Sequence, residues 1–293
     1  MRSGWRLAAL TSMDTVDSVA RDELRGAISR LGLAGEPIEI HVSLRSFPAI
    51  DGGPHTLVEA FLDLGCTLLV PTMANEAFAV PAPPNDRPAR NAKDYAATDA
   101  SAARSPWPGM LDIYDQARTE TDPGLGATPA YVAGRADRIR CRLSPGTFSA
   151  IGPRAAELID AETSLDTFGP LRQLVALGGW VLLMGVRLDR MTILHLAEVE
   201  AGRRPFIRWA RGPDGEPMRS RGGECSNGFP SLDVRLAAVE STDVVGRSRW
   251  RLFPAAAVVQ RAAAAICADP QVTRCNRPQC IECDDAIAGG PPD

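Results

Sequence analysis

"EPIEIHVSLRSFPAIDGGPHTLVEAFLDLGCTLLVPT", residues 36–72, decides the fold class. Its first part, EPIEIHVSLRSF, alternates apolar and polar side chains with the period of a strand. GGPHTLVEAFLDLG then supplies a glycine turn, a proline at a first helical position and an amphipathic helix. CTLLVPT is a short apolar run of the length of a buried strand. Strand, glycine turn, helix and strand make a βαβ unit, and such units build parallel sheets. The class is α/β.

The pattern extends both ways from this unit. Upstream, residues 14–33 carry apolar side chains at helical spacing, with Asp14 or Thr15 as cap and Gly32 as stop. Downstream, SAIGPRAAELIDA (149–161) reads as a turn and helix, and GPLRQLVALGG (169–179) as a helix ending in glycines. WVLLMGV (180–186) reads as a buried strand, and PFIRWA (205–210) and SLDVRLAAVE (231–240) as later strands. FPAAAVVQRAAAAICADP (253–270) is an alanine-rich helix. The stretch from Met73 to about Pro108 is different. Its PAPPNDRPARNAKDY has no apolar periodicity, which suits a lid, a binding loop or a disordered insert. The expectation is one α/β domain over residues 1–293, with a loop inserted at about 75–105 and a cysteine-containing C-terminal tail.

A net charge of −4 gives no basic surface for a phosphate backbone, so nucleic acid is not an expected partner. No run approaches the ~18 apolar residues of a membrane span, and the apolar run in MRSGWRLAALTSMDTVD is too short for a secretory signal. No membrane association and a cytoplasmic location are therefore expected. Seven cysteines, an odd number in a long chain, fit reduced thiols. Three lie in CNRPQCIEC (Cys275, Cys280, Cys283), with Cys267 upstream. Four thiolates can complete a zinc tetrahedron, and the last pair has zinc-like spacing. The upstream pair is not a second CxxC, so free thiols and no metal are expected.

Glycines between a strand and a helix leave backbone N–H groups free at a helix N-terminus, which favours a phosphate near GGP, with Arg45 and Ser46 close by. This is neither GxGxxG nor a Walker motif. GxSxG and HExxH are also missing, which removes support for an α/β-hydrolase or a zinc peptidase. Cys66, Cys141 and Cys225 remain as thiols without a justified pattern. His195, one of three histidines, follows the strand WVLLMGV through a polar loop, where ligands bind in open α/β sheets. Thr192 can cap a helix there, placing His195 in its first turn and Glu198 three residues on, on the same face. A carboxylate can then fix the tautomer of a base. Local chemistry alone leaves His195 between catalytic base and structural histidine.

Taken together, these segments resemble the aminoglycoside 3-N-acetyltransferase family. IHVSLRSF followed by GGP is similar to its HxSLxS-G…GGP opening, and GCTLLVPT to its G-T-L-hydrophobic-PT strand. RIRCRLSPGTFSAIGPRAAEL resembles the R-S-x-HP-x-x-S-x-AA-x-G block. LLMGVRLDRMTILHLAE resembles LLG-x…D-x-x-T-x-LHLAE, the most specific of the blocks, and RLFPAAAVVQRA with the trailing cysteines is similar to the family's end. The resemblance runs from about residue 39 to the C-terminus.

It implies an α/β/α fold with a central mixed sheet, and acetyl transfer from acetyl-CoA to the 3-amino group of a 2-deoxystreptamine aminoglycoside. It makes His195 the general base, with Glu224 the counterpart of an orienting glutamate and Glu198 the fallback. It assigns Ser43, Arg45, Ser46, Gly53, Thr72, Arg140 and Ser149 to the CoA path. It needs no metal, and the assembly is expected to be a monomer or homodimer. Three departures affect the acceptor. The family's His-Pro is Ser144-Pro145, the segment from Asp122 to Arg140 is shorter, and the 75–105 insert diverges. Asp86, Asp94 and Asp99 in the insert, and Asp112 or Asp115 beyond it, are the acids that could face a polycation. A different amine, a binding protein without turnover and a zinc amidohydrolase using the tail are the rival readings.

Overall fold

The structure is a computed structural model in which residues 18–144, 146–163, 165–223 and 225–292 are described. Among them, ten strands form two sheets. They are β1 (Pro37–Val42), β2 (Thr67–Pro71), β3 (Ala79–Val80), β4 (Ile139–Arg140), β5 (Phe148–Ile151), β6 (Trp180–Met184), β7 (Phe206–Arg211), β8 (Pro217–Gly222), β9 (Ser241–Val245) and β10 (Ser248–Pro254). The main sheet has the order β4-β5-β2-β1-β6-β10-β9. Its centre, β2-β1-β6, is parallel, and every other neighbouring pair is antiparallel. The sheet is mixed, as expected.

Strand alternation divides the core into two layers. Val181 and Leu183 of β6 face one layer with Leu69, Phe148 and Phe253. Leu182 and Met184 face the other with Ile38, Ile40, Leu68 and Trp250. Helices Gly169–Ala176, Ile193–Glu200 and Ala255–Ala268 cover the first face, and Arg21–Arg30 and Gly53–Leu62 the second. A sheet buried on both faces reads as continuous apolar runs, which is why TLLVP and WVLLM lack polar alternation. From β1 the chain crosses to β2 on one side, while β6 lies on the other. The strand order thus switches at the C-terminal ends of β1 and β6, where a crevice opens.

Several expectations change. Residues 231–240 are not a strand: they form short helical turns, Phe229–Leu232, Asp233–Leu236 and Ala237–Val239. Residues 149–151 belong to β5, with the helix confined to Ala155–Ile159. The 75–105 segment holds a helical turn (Asn75–Phe78), β3 and helix Tyr95–Arg104. That last helix has no buried residue, so it left no apolar period to read. The start placed at residues 14–17 lies outside the described residues, and the helix there runs Arg21–Arg30. No helix among the described residues is long and apolar enough to cross a membrane.

Candidate active site

The crevice is a cleft of ≈ 1350 Å³. Its floor is the ends of β1 and β6: His41, Ser43 and Arg45 from one, residues 185–187 and 189–192 from the other. The antiparallel sheet β3-β7-β8 and residues 73–82 and 123–129 form the facing wall. Gly185 makes the turn out of β6 at φ +66°, and a Cβ on it would fall 2.1 Å from Ser46 Oγ. Only glycine lets the two strand ends come this close.

His195 lines this cleft from the first turn of helix Ile193–Glu200. The i, i+3 spacing brings Glu198 Oε2 to 2.7 Å from His195 Nδ1. An ionised carboxylate only accepts, so Nδ1 donates and the neutral ring keeps its lone pair on Nε2. Nε2 has no protein partner among the described residues. Arg203 holds the other carboxylate oxygen at 2.6 Å and is itself fixed by Thr273 Oγ1 (2.8 Å) and Pro270 O (2.6 Å). The side chains of His195, Glu198 and Arg203 are only 11%, 13% and 8% exposed, so these charge-assisted bonds are little screened by water. Phe229 packs edge-on to the imidazole at 4.8 Å. Gly223 closes the other side: a Cβ there would lie 2.1 Å from His195 Cγ. The ring is pinned with one nitrogen left over.

The expected orienting residue Glu224 lies outside the described residues, although its neighbour Gly223 touches the ring; the carboxylate found on His195 is Glu198. Beneath the site, Glu39 is completely buried, with His41 Nε2 3.1 Å from its carboxylate. The same nitrogen accepts the Thr192 N–H at 3.4 Å, which ties β1 to the start of the His195 helix.

The proposed CoA residues separate into two groups. Ser43 and Arg45 line the cleft. Ser46 does not: its hydroxyl bonds Ser43 O and Ser248 Oγ, both at 2.7 Å. Gly53 also lies outside the lining, its N–H spent on Ile50 O (2.9 Å). Thr72, Ser149 and Arg140 are buried together behind the cleft wall. Thr72 Oγ1 and Ser149 Oγ are 2.9 Å apart, and Arg140 donates to Thr72 O (2.8 Å) and Glu120 O (2.7 Å). Burial lowers the pKa of the Arg140 guanidinium and pushes that of Tyr114, beneath it, up to about 12. All three bonded side chains brace the β2–β5 corner.

The five aspartates expected to face a polycation all have partners within the protein. Asp99 takes Arg87 in a two-point bond (2.7 and 2.8 Å), and Asp112 takes Arg118. Asp86 accepts from Trp209 Nε1 (2.8 Å), Asp94 caps helix Tyr95–Arg104 through Ala97 N–H (2.9 Å), and Asp115 accepts from Ala117 N–H (2.7 Å). Sequence reasoning missed the carboxylates that do line the cleft, Glu76 and Asp189, neither of which has an ion pair among the described residues. It also missed Arg187 and Arg190, which line the cleft beside Arg45, again without ion pairs there. Asp189 was visible in principle, as the first position of the D-x-x-T-x-LHLAE block. Cys66 and Cys141 are buried in the core layers, and burial raises both thiol pKa values.

A family model described as aminoglycoside 3-N-acetyltransferase matches residues 40–266, from β1 through the long alanine-rich helix. The chain belongs to the aminoglycoside 3-N-acetyltransferase family. It is 28% identical over 267 residues to aminoglycoside N(3)-acetyltransferase VIII of Streptomyces fradiae, covering 83% of this chain and 90% of that one. The crystal structure of aminoglycoside acetyltransferase AAC(3)-Xa is 29% identical, with a TM-score of 0.68 over 85% of this chain and 93% of that one. Three more distant structures share the fold. The AAC(3)-IVa apoenzyme has a TM-score of 0.72 at 24% identity, covering 94% of this chain and 100% of that one. AAC-IIIb binary with CoASH has 0.68 at 20%, covering 85% and 97%. AAC-VIa bound to sisomicin has 0.66 at 22%, covering 86% and 98%.

Proposed function

We propose that this family member moves the acetyl group of acetyl-CoA to the 3-amino group of a 2-deoxystreptamine aminoglycoside, directly, within a ternary complex, with His195 as general base. The observation that carries this reading is the 2.7 Å bond from His195 Nδ1 to Glu198, which leaves the Nε2 lone pair unused on a ring that lines the cleft. The CoASH and sisomicin complexes of fold neighbours support the choice of donor and acceptor class. A thioester is already activated, so the step needs neither a nucleophilic side chain nor a metal. The ammonium sheds one proton to become a nucleophile and a second as the amide forms, and Nε2 takes the proton released on attack. The C–N bond forms, the C–S bond breaks, and the departing thiolate takes up one proton while the other goes to solvent. A positioned base contributes ~10²–10⁴-fold to such a step. Glu198 favours the imidazolium that this transfer creates. Arg45, Arg187 and Arg190 supply cations for the phosphates of CoA, and Asp189 and Glu76 supply carboxylates for ammonium groups of the sugar.

Another amine is the second reading, and one observation favours it: the five aspartates expected to meet a polycation, Asp86, Asp94 and Asp99 in the insert and Asp112 and Asp115 beyond it, bond within the protein. Thiol release from acetyl-CoA, measured across aminoglycosides with and without a 3-amino group, tests both. Release that needs the 3-amine supports the first reading. CoA binding without release on any of them moves the assignment to a different acceptor.

A further inference from the structure

Behind His195, on the side away from the cleft, Cys225, Cys275, Cys280 and Cys283 bring their four Sγ atoms within 4.8 Å of one another. None is in a disulfide, and three of the four are buried. We propose that these four thiols are a structural zinc site that clamps the segments holding the His195–Glu198 pair. This reverses the expectation of a metal-free tail. The fourth corner comes from Cys225, fifty residues before Cys275, whereas Cys267 is exposed and lies apart at Ala201 O (3.9 Å).

The donor set and its surroundings fit zinc. Four thiolates at ~2.3 Å from a tetrahedral ion stand about 3.8 Å apart, so closing this cluster onto a metal needs shifts of under about 1 Å. Cys275-x4-Cys280-x2-Cys283 is a knuckle, with Cys280 at the cap of helix Ile281–Ile287 and Cys283 in its first turn. A zinc tetrathiolate carries a net charge of −2, and donors to sulfur are in place around it. Cys275 N–H points to Cys283 Sγ (3.4 Å), and the Arg277 guanidinium reaches Cys280 Sγ (3.2 Å) and Cys225 Sγ (3.8 Å). Asn227 Nδ2 adds a contact to Cys225 at 3.7 Å. Glu282 accepts from the Cys280 thiol at 2.8 Å; when the metal displaces that proton, its carboxylate keeps Arg277 at 3.0 Å. Binding releases the thiol protons and changes no oxidation state.

The clamp reaches the active site by two routes. Cys225 is two residues beyond Gly223, which lies against the imidazole. Thr273, two residues before Cys275, holds Arg203, which holds Glu198. His195, Glu198 and Arg203 also line, together with Cys225 and Cys283, one small void of ≈ 30 Å³.

The test is the metal content of the full-length purified protein. The expected result is about one zinc per chain, retained through dialysis, with Cys267→Ser keeping it and Cys225→Ser or Cys280→Ser losing most of it. Because the serine variants could simply misfold, the wild-type chain is also exchanged with cobalt. Intense visible bands of tetrahedral thiolate-bound Co(II) and protection of four thiols from alkylation are expected. Zinc removal by a strong chelator should lower Tm. Less than about a tenth of a zinc per chain with all four thiols freely alkylated overturns the proposal, as does a disulfide among them by mass. Iron in place of zinc overturns the choice of metal.

Discussion

The wall of the cleft that carries His195 and the wall that faces it are held together differently. The first grows out of β6 and helix Ile193–Glu200, whose apolar side chains sink into the main core. The second, residues 73–126 with β3, β7 and β8, rests on small apolar clusters around Tyr114 and Trp209 and on paired polar contacts. There Asn91 imitates a strand neighbour, accepting Ile207 N–H at 2.7 Å and donating to Ile207 O at 3.1 Å, and Arg87 grips Asp99. Under the proposed function, His195 stands on the wall fixed by bulk burial, whereas of the two proposed acceptor carboxylates only Glu76 belongs to the wall fixed by exchangeable polar pairs.

The largest expected effect lies on the first wall. His195→Ala should lower kcat/KM for acetyl transfer by ~10²–10⁴-fold while the Kd for CoA stays within about twofold. Thiol release and isothermal titration check the two halves, and activity within tenfold of wild type would remove His195 from the chemistry. Glu198→Gln keeps the shape but not the charge that favours the imidazolium, so kcat should fall roughly 10²-fold, less than for loss of the ring itself. An unchanged kcat would transfer the orienting role to another carboxylate.

The acceptor carboxylates, Glu76 on the facing wall and Asp189 on the floor after β6, should respond in KM. Asp189→Asn with Glu76→Gln removes the two cleft carboxylates that have no ion pair among the described residues. KM for a polycationic acceptor should rise about tenfold, about 1.4 kcal/mol, with kcat within about twofold. Steady-state kinetics at low and moderate salt check it, and the rise should shrink as salt screens the attraction.

How much of this was legible in the sequence follows from the same contrast. The βαβ unit of residues 36–72, β6 and the helix of His195 were readable because burial writes a period into the chain. So was the pairing of His195 with Glu198, which needs only helical spacing. Arg203 was not, because it meets Glu198 across a helix end, anchored by Thr273 from seventy residues away. Residues 231–240 misled because a mixed apolar pattern over ten residues suits a strand and a string of short turns equally. The family pattern also carried Thr72, Arg140 and Ser149 onto the CoA path, whereas the Thr72 and Ser149 hydroxyls bond each other and Arg140 donates to backbone carbonyls inside the β2–β5 corner. Thr72→Val separates the two roles. It strands the buried Ser149 hydroxyl, so stability should fall by about 1–3 kcal/mol, seen in chemical denaturation. KM for acetyl-CoA should not move, and a severalfold rise would return Thr72 to the donor site.

The smallest effect is the sharpest statement about the insert. Asp99 is half exposed, and its two-point bond to Arg87 faces solvent. Arg87 holds the carboxylate below the usual range, so Asp99 is charged throughout the neutral region whether or not a ligand is present. A charge already paired with a guanidinium attracts an ammonium weakly, because the field of the pair falls off faster than that of a single ion. Asp99→Asn should therefore leave KM and kcat for any aminoglycoside unchanged, while the Asp189 and Glu76 change raises KM. If Asp99→Asn raised KM as much, the Arg87 pair would have to open on binding, and the facing wall would be rearranged by its ligand.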